Sequence, residues 1–355
     1  MNGGSRVATG IKQIAKLANV SISTVSHVLN ASAPIGSEVQ ERVLGIARET
    51  GYLAKRRRKA SISLLSTVLL VGTKKAFPKS DRNFVAWTML NAFRKECQSR
   101  GIRLIPQIEE ENEINPDNIV EAVAKHRPQG IAVMQDDRQC LIDMLYKLPS
   151  ASVILSGQDQ SMRVDTVAPS NRFGAKLATD HLLELGHKRI ALLTWGNRRV
   201  AKQRTEGFLD AFRQAGLDVP VSDIIDVGDY QQDVVETNFS KWLSEHNGPS
   251  PYSAFFCSAD NVALGAMKAL QTHGYSVPND VSIMGFDNAL FGELSSPSLS
   301  TIHVPMEEIG HVALNLLEEA LTLPDGERSA RRVELGCRLI LRNSTGVPNS
   351  SFSKS

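Results

Sequence analysis

Cysteine is scarce in this chain: four residues, Cys97, Cys140, Cys257 and Cys337, stand far apart with no C-x-x-C pair among them. That spacing excludes a disulfide framework and a thiolate zinc site, and leaves free, buried thiols as the expectation. Long apolar runs are missing as well. No stretch approaches the roughly 20 residues needed to span a bilayer. The opening MNGGSRVATG has no apolar core of the signal-peptide kind, so a cytoplasmic protein without a membrane partner is expected. There is no glycine-rich phosphate loop, Ser156 precedes Gly157 without forming a nucleophile elbow, and the eight histidines are dispersed. No catalytic set emerges, so neither an enzyme nor a cofactor is expected. His187, just ahead of the apolar run RIALL, reads as a helix-end cap rather than a base.

A formal net charge of +2 says little about partners, but the charge is unevenly placed. Every residue from Lys55 to Lys59 is basic, whereas Glu109 to Glu113 is almost wholly acidic. At 355 residues the chain is too long for one small core, and two or three domains are the natural division.

The first fifty residues carry three short helical patterns. Thr9 can cap a segment in which Ile11, Ile14, Ala15 and Ala18 share one face. Ser21 can cap ISTVSHVLN, where Val25, Val28 and Leu29 turn inward while Ser23, Ser26, His27 and Asn30 turn outward. Ser37 and Gln40 form a capping box ahead of the stripe Val39, Val43, Ile46 and Ala47, which ends at Gly51. Such spacing suits a helix-turn-helix, whose second helix needs small polar residues near its N-terminus to enter the major groove. An ordinary small helical bundle fits the periodicity equally well.

From residue 66 onward, short β-rich runs alternate with helical patterns: TVLLVG, IRLIPQI, GIAVMQ, SVILSG, RIALLT, DIIDVG, AFFCS and VSIMGF. This is βα repetition, hence parallel sheet covered on both faces. Two lobes or a TIM barrel could house that many units. The long connection GQDQSMRVDTVAPSN favours a crossing between lobes. Ligands of open parallel sheets sit beyond the carboxyl ends of the strands. Asp287 directly follows VSIMGF and Arg204 opens the helix after RIALLTWGNRR, so both face the expected cleft. An Arg fork and a carboxylate can hold vicinal hydroxyls or a polar heterocycle, or can simply pair with each other across the hinge.

The run IKQIAKLANVSISTVSHVLN closely resembles the helix-turn-helix of the LacI/GalR family of bacterial regulators. The segments DTVAPSNRFGAKLATDHLLELGHKRIALL, RTEGFLDAFRQAG, DNVALGAMKAL, VPNDVSIMGFDN and SPSLSTIHVPMEEIGHVALNLL resemble that family's sensor. The resemblance spans about residues 7 to 342 and implies a small all-α helix-turn-helix head plus an α/β two-lobed, periplasmic-binding-protein-like sensor with doubly wound parallel sheets. The implied divisions are a head over 7–53, a basic hinge over 54–65, a sensor and dimerisation domain over 66–342 and a flexible tail over 343–355. The N-lobe would take about 66–168 and 300–327, and the C-lobe about 169–299 and 328–342. In the head, the resemblance implies that Ile22 and Ser23 stand at base-reading positions, Thr24, Ser26 and Asn30 at phosphate contacts, and His27 at a further base-reading position. In the cleft, Arg204 and Asp287 match effector contacts and Tyr230 matches an aromatic that stacks on ligand; Phe84 and Trp195 are further candidates.

The implied activity is that of a homodimeric transcription regulator, most simply a repressor, binding double-stranded operator DNA under control of a small effector, with a sugar or sugar derivative the expected class. Alternatives are the same head with a sensor that docks a protein, or the solute-binding protein of a transporter, which needs export. Departures are specific. Gly157 or Gln158 stands where sugar-binding members often carry Asp, and Ala259 precedes Asp260 where Asn is common. In the hinge Tyr52 fits, but Ala54, Lys55, Arg58 and Ser61 replace the family's Pro, Asn, Ala and intercalating Leu. A serine cannot wedge between bases as an apolar side chain does. Arg56, Arg57 and Arg58 are instead expected to neutralise phosphate or enter a narrow minor groove.

Overall fold

A computed structural model describes residues 11–30, 35–49, 65–74, 84–110, 113–196, 198–322 and 328–349. The expected Thr9 cap, Tyr52, the run Lys55–Lys59 and Ser61 lie outside the described residues.

The head consists of α1 (Ile11–Ala18), α2 (Ile22–Asn30) and α3 (Ser37–Glu49). Ile14, Ala15 and Ala18 of α1, Val25 and Val28 of α2, and Val43 and Ala47 of α3 are buried together, with Leu29, Val39 and Ile46 at the margin. These are the stripes that the helical period places on one face of each segment.

The N-lobe sheet contains β1 (Thr67–Thr73), β2 (Arg103–Glu109), β3 (Gly130–Met134), β4 (Ala151–Leu155), β5 (Asp165–Pro169) and a late strand, β11 (Arg332–Leu335). All pairs are parallel in the order β11-β5-β4-β3-β1-β2. Helices Phe84–Ser99 and Met306–Thr322 cover one face with Met89, Phe93, Ile309 and Leu317. Helices Pro116–His126 and Gln139–Leu145 cover the other with Ile119, Leu141 and Ile142. Burial on both faces is why β1 and β3 read as unbroken apolar runs.

The C-lobe sheet joins β6 (Ile190–Thr194), β7 (Ile224–Asp226), β8 (Ala254–Cys257) and β9 (Ser282–Met284), parallel in the order β7-β6-β8-β9. Helices Asn171–Glu184 and Arg199–Gln214 pack on one face, and Gln232–Glu245 and Asp260–Thr272 on the other. The first pair touch closely because residue 207 is Gly: a Cβ there would lie 2.0 Å from the Arg172 carbonyl oxygen.

Two expected lobe boundaries move. β10 (Thr301–His303) pairs antiparallel with β12 (Arg338–Ile340), and bridges Met284–Ser300 and Asp287–His303 attach it beside β9. Residues 300–303, expected in the N-lobe, therefore extend the C-lobe sheet. Residues 332–335, expected in the C-lobe, form an outer strand of the N-lobe sheet against β5. The chain crosses after β5, after β10 and between β11 and β12. Leu65, at the end of the expected hinge, is buried in the body.

The tail expectation also changes. Over 343–349 the chain is pinned to the C-lobe: Ser344, fully buried, donates its hydroxyl to the Ile283 carbonyl at 2.6 Å and accepts the Ser300 N–H at 2.8 Å. His187 does more than end a helix. It is buried, its Nε2 meets the Gly346 carbonyl at 2.9 Å, and its Nδ1 meets the Ser253 hydroxyl at 2.8 Å. A carbonyl can only accept, so Nε2 carries the proton and Nδ1 accepts from Ser253. Burial lowers the His187 pKa and favours this neutral ring. Of the cysteines, Cys97, Cys257 and Cys337 are buried as expected, whereas Cys140 is exposed.

Candidate functional site

Two surfaces gather the candidate residues. In the head, α1 ends at Asn19 in the left-handed conformation (φ 52°), with the Val20 N–H bonded back to the Ala15 carbonyl at 3.0 Å, so the chain turns sharply into α2. Ser21 caps α2 by accepting the Thr24 N–H at 3.0 Å, and its hydroxyl also meets those of Ser23 (2.7 Å) and Thr24 (2.8 Å). Val25 and Val28 anchor the helix inward, which leaves Ile22, Ser23 and His27 exposed and Thr24 and Ser26 half-buried. Asn30 is the last residue of α2; its side chain lies outside the described residues. Ile22 is 49% exposed. An apolar side chain held in water beside small hydroxyls suits contact with a thymine methyl and close approach to DNA.

In the body, a cavity of about 740 Å³, counting space open to solvent, lies between the lobes. The N-lobe contributes Val85, Gln135, Ser156, Pro169 and Met306, and the C-lobe contributes Asn171, Trp195, Arg198, Arg204, Tyr230, Asp260, Asn261 and Asp287 among others. Strand ends and helix starts dominate that lining, as an open parallel sheet dictates. Gln135 (φ 56°), Ser156 (φ 56°) and Asp287 (φ 116°) follow β3, β4 and β9 in backbone conformations that side chains rarely adopt, and all three line the cavity. Strain of this kind concentrates at ligand sites.

Arg204 and Asp287 meet, but within the C-lobe and not across the hinge. Arg204 is 3% exposed and donates to Asp287 Oδ1 at 2.9 Å, to Asn171 Oδ1 at 3.0 Å and to the Ser258 carbonyl, while its guanidinium lies 3.8 Å from the centroid of the Phe286 ring. Burial pushes the Asp287 carboxyl up, and Arg204 opposes that rise. Asp260, also buried, accepts the Ala289 N–H and the Thr301 hydroxyl, both at 2.6 Å. Burial, with Asp287 nearby, pushes its pKa up to about 8. Trp195 and Tyr230 form a tilted pair with ring centroids 5.9 Å apart on the same wall. Phe84 opens its helix with a side chain outside the described residues; its neighbour Val85 reaches the cavity.

The sequence reading missed Gln135, Ser156, Asn171 and Arg198, which no local pattern marks. Gly157 has a use of its own. A Cβ there would sit 2.7 Å from Ile154 and 3.2 Å from Asp137, so its bareness admits Asp137, which accepts the Gln158 N–H at 3.0 Å and pairs with Arg199 of the C-lobe at 2.6 Å. Among the described residues this is the one ion pair that joins the two lobes.

A DNA-sized three-helix head and a two-lobed body with a ligand cleft, on one chain, define the class of ligand-responsive DNA-binding regulators. Residues 10–54 match the bacterial regulatory proteins of the lacI family, and residues 179–345 match the periplasmic binding protein-like domain. The HTH-type transcriptional repressor PurR of Haemophilus influenzae (strain Rd KW20) is 30% identical over 341 residues, covering 94% of this chain and 98% of that protein. PurR of Mannheimia succiniciproducens is 30% identical over 343 residues with the same coverage, 94% and 98%. The lac repressor dimer bound to operator and the anti-inducer ONPF shares the fold, with a TM-score of 0.68 at 21% identity over 96% of this chain and 100% of that one. So does the transcriptional regulator CelR in complex with cellobiose, with a TM-score of 0.67 at 23% identity over 95% and 100%. The chain belongs to the LacI family of bacterial regulatory proteins.

Proposed function

We propose that the protein is a homodimeric transcriptional repressor whose affinity for operator DNA is set by a small effector in the cleft, and that it works in the cytoplasm without catalysing a reaction. The observation that carries this reading is the exposed face of Ile22, Ser23 and His27 on one chain with the strained, polar cavity around Arg204 and Asp287. The name of the PurR relatives and the operator-bound state of the lac repressor structure support it.

In this reading Ile22, Ser23 and His27 contact base edges, and Thr24, Ser26 and Asn30 contact phosphates. Arg56, Arg57 and Arg58 grip the backbone next to the head. Residues 7–53 form the head, 54–64 the connection and 65–349 the sensor. Arg204 and Asp287 organise the cleft wall, while Tyr230, Trp195 and Phe84 offer the ligand apolar surface. A ligand can switch DNA binding only through different affinities for two lobe orientations. The cleft is placed for that, because both lobes line it.

Selection of bound sites from a random DNA pool tests the head: a palindromic motif with two half-sites is expected, and binding indifferent to sequence refutes it. Operator affinity measured against candidate ligands tests the sensor, and an affinity that no cleft ligand changes would remove the effector from the mechanism.

A further inference from the structure

The cleft's charged groups divide into engaged and open ones. Asp260 has both oxygens engaged, by Ala289 and Thr301, and Asp287 and Arg204 hold each other. Arg198 also lines the cavity, is exposed, and makes no ion pair among the described residues. Arg198 stands at the N-terminal boundary of the helix Arg199–Gln214, which has 16 residues, no side-chain cap and no acidic residue in its first turn. The helix starting at Asn171 is likewise uncapped and free of acid in its first turn. Both starts touch the same cavity, through Val200 and Asn171. Helix starts present unpaired N–H groups and partial positive charge, a setting for an anion. A second, independent feature is the indole N–H of Trp195: the residue is 9% exposed, lines the cavity, and has no partner for that N–H among the described residues. A buried donor left unmatched costs free energy that a ligand acceptor would recover.

Asp287 gives one oxygen to Arg204 and Asp260 uses both of its own within the protein, so among the described charged side chains that line the cavity the one without a partner is the cation Arg198. We infer that the effector is a small ring compound bearing a carboxylate or phosphate, whose anionic group docks on Arg198 and the first turn of helix Arg199–Gln214 while its ring lies against Tyr230 and Trp195. This deepens the reading of the cleft as the effector site and rests on it.

Calorimetry on the full-length chain tests the inference with matched probes: glucose against glucuronate and glucose 6-phosphate, and nicotinamide against nicotinate. At least one anion should bind about tenfold more tightly than its neutral partner, as a charge-assisted contact warrants. The advantage should shrink as salt rises, and the two glucose derivatives distinguish carboxylate from phosphate. Arg198→Gln, at an exposed position, should erase the advantage and leave the thermal melt unchanged. Trp195→Phe, which removes the N–H together with one ring of the indole, should weaken both probes and the anion more than the neutral one. The inference is overturned if neutral probes bind as well as the anions in every comparison, if no anion binds at millimolar concentration, or if Arg198→Gln keeps the advantage. A neutral sugar that alters operator affinity would overturn this inference and leave the regulator standing. Anion binding that leaves operator affinity unchanged would overturn both the anion as effector and the cleft as the control site.

Discussion

Replacing Arg204 by Met decides how much of its contact with Asp287 is structural. The side chain is 3% exposed and gives hydrogen bonds to Asp287, Asn171 and the Ser258 carbonyl, so its removal strands a buried carboxylate and a carbonyl. Breaking a buried pair from one side typically costs about 3–5 kcal/mol, mostly from the charge left behind. The Asp287→Asn change keeps an acceptor but leaves the buried Arg204 guanidinium without its counter-charge, so it too should cost about 3–5 kcal/mol. The double variant should therefore be more stable than the sum of the single losses predicts, by about 2 kcal/mol, a coupling typical of contacting residues. Urea unfolding followed by tryptophan fluorescence reads this directly, since Trp195 and Trp242 belong to the C-lobe core and its margin. Strictly additive losses would refute the reasoning: the pair would then not hold the wall together, and Arg204 would be free to serve the ligand alone. The effector response of Asp287→Asn, measured where the protein is fully folded, separates the ligand role from the structural one.

Asp260 carries a pH signature. Its folded pKa of about 8 lies above that of the unfolded chain, so the folded state keeps a proton that the unfolded state releases. Its contribution to stability is complete below the unfolded pKa and is lost as pH rises toward the folded one. Against Asp260→Asn, the wild type should lose about 3 kcal/mol between roughly pH 6 and 8, on the order of 1.4 kcal/mol per pH unit; parallel denaturation profiles would contradict this. Replacing Arg56, Arg57 and Arg58 by Ala should flatten the slope of log operator affinity against log salt by up to roughly 3, at about 0.9 per lost phosphate contact. An unchanged slope would return the run to a solvated connection. The half-exposed pair Asp137–Arg199 spans the cleft as an ion pair without an aligned hydrogen bond from Arg199 Nε. Asp137→Asn should shift the balance of lobe orientations by up to about fivefold, equivalent to roughly 1 kcal/mol, seen as a larger radius of gyration in solution scattering; an unaltered radius and effector affinity would show that the pair latches nothing.

The eight apolar runs read from the sequence correspond to β1 to β4 and β6 to β9: β1, β3, β6 and β8 are covered on both faces and must be apolar throughout, whereas β2 and β7, at the sheet edges, are only partly buried. β5, β10, β11 and β12 escaped. β5 lies within the stretch GQDQSMRVDTVAPSN, read as a connection, and opens with the polar Asp165 and Thr166. β10, β11 and β12 have three or four residues each, and β11 and β12 lie half-open to solvent, so they carry neither an apolar run nor an independent signal, and their partners lie far away along the chain. The same holds for the tail over 343–349, polar by composition yet pinned through Ser344 and Gly346 by hydrogen bonds to β9 and its neighbours.

The site divides in the same manner. Helical period and capping determined the head, since Ser21, Val25 and Val28 fix by local rules which side chains of α2 turn outward. Position after a strand marked Arg204 and Asp287 for the cleft. That they engage each other inside one lobe, that Asn171 and Phe286 complete their setting, and that Arg198 is, among the described charged residues lining the cavity, the one without a partner were decided by tertiary structure. Local sequence dictates direction along an element. Which donors are already satisfied depends on residues such as 171, 204, 258 and 287, which only folding brings within hydrogen-bond distance.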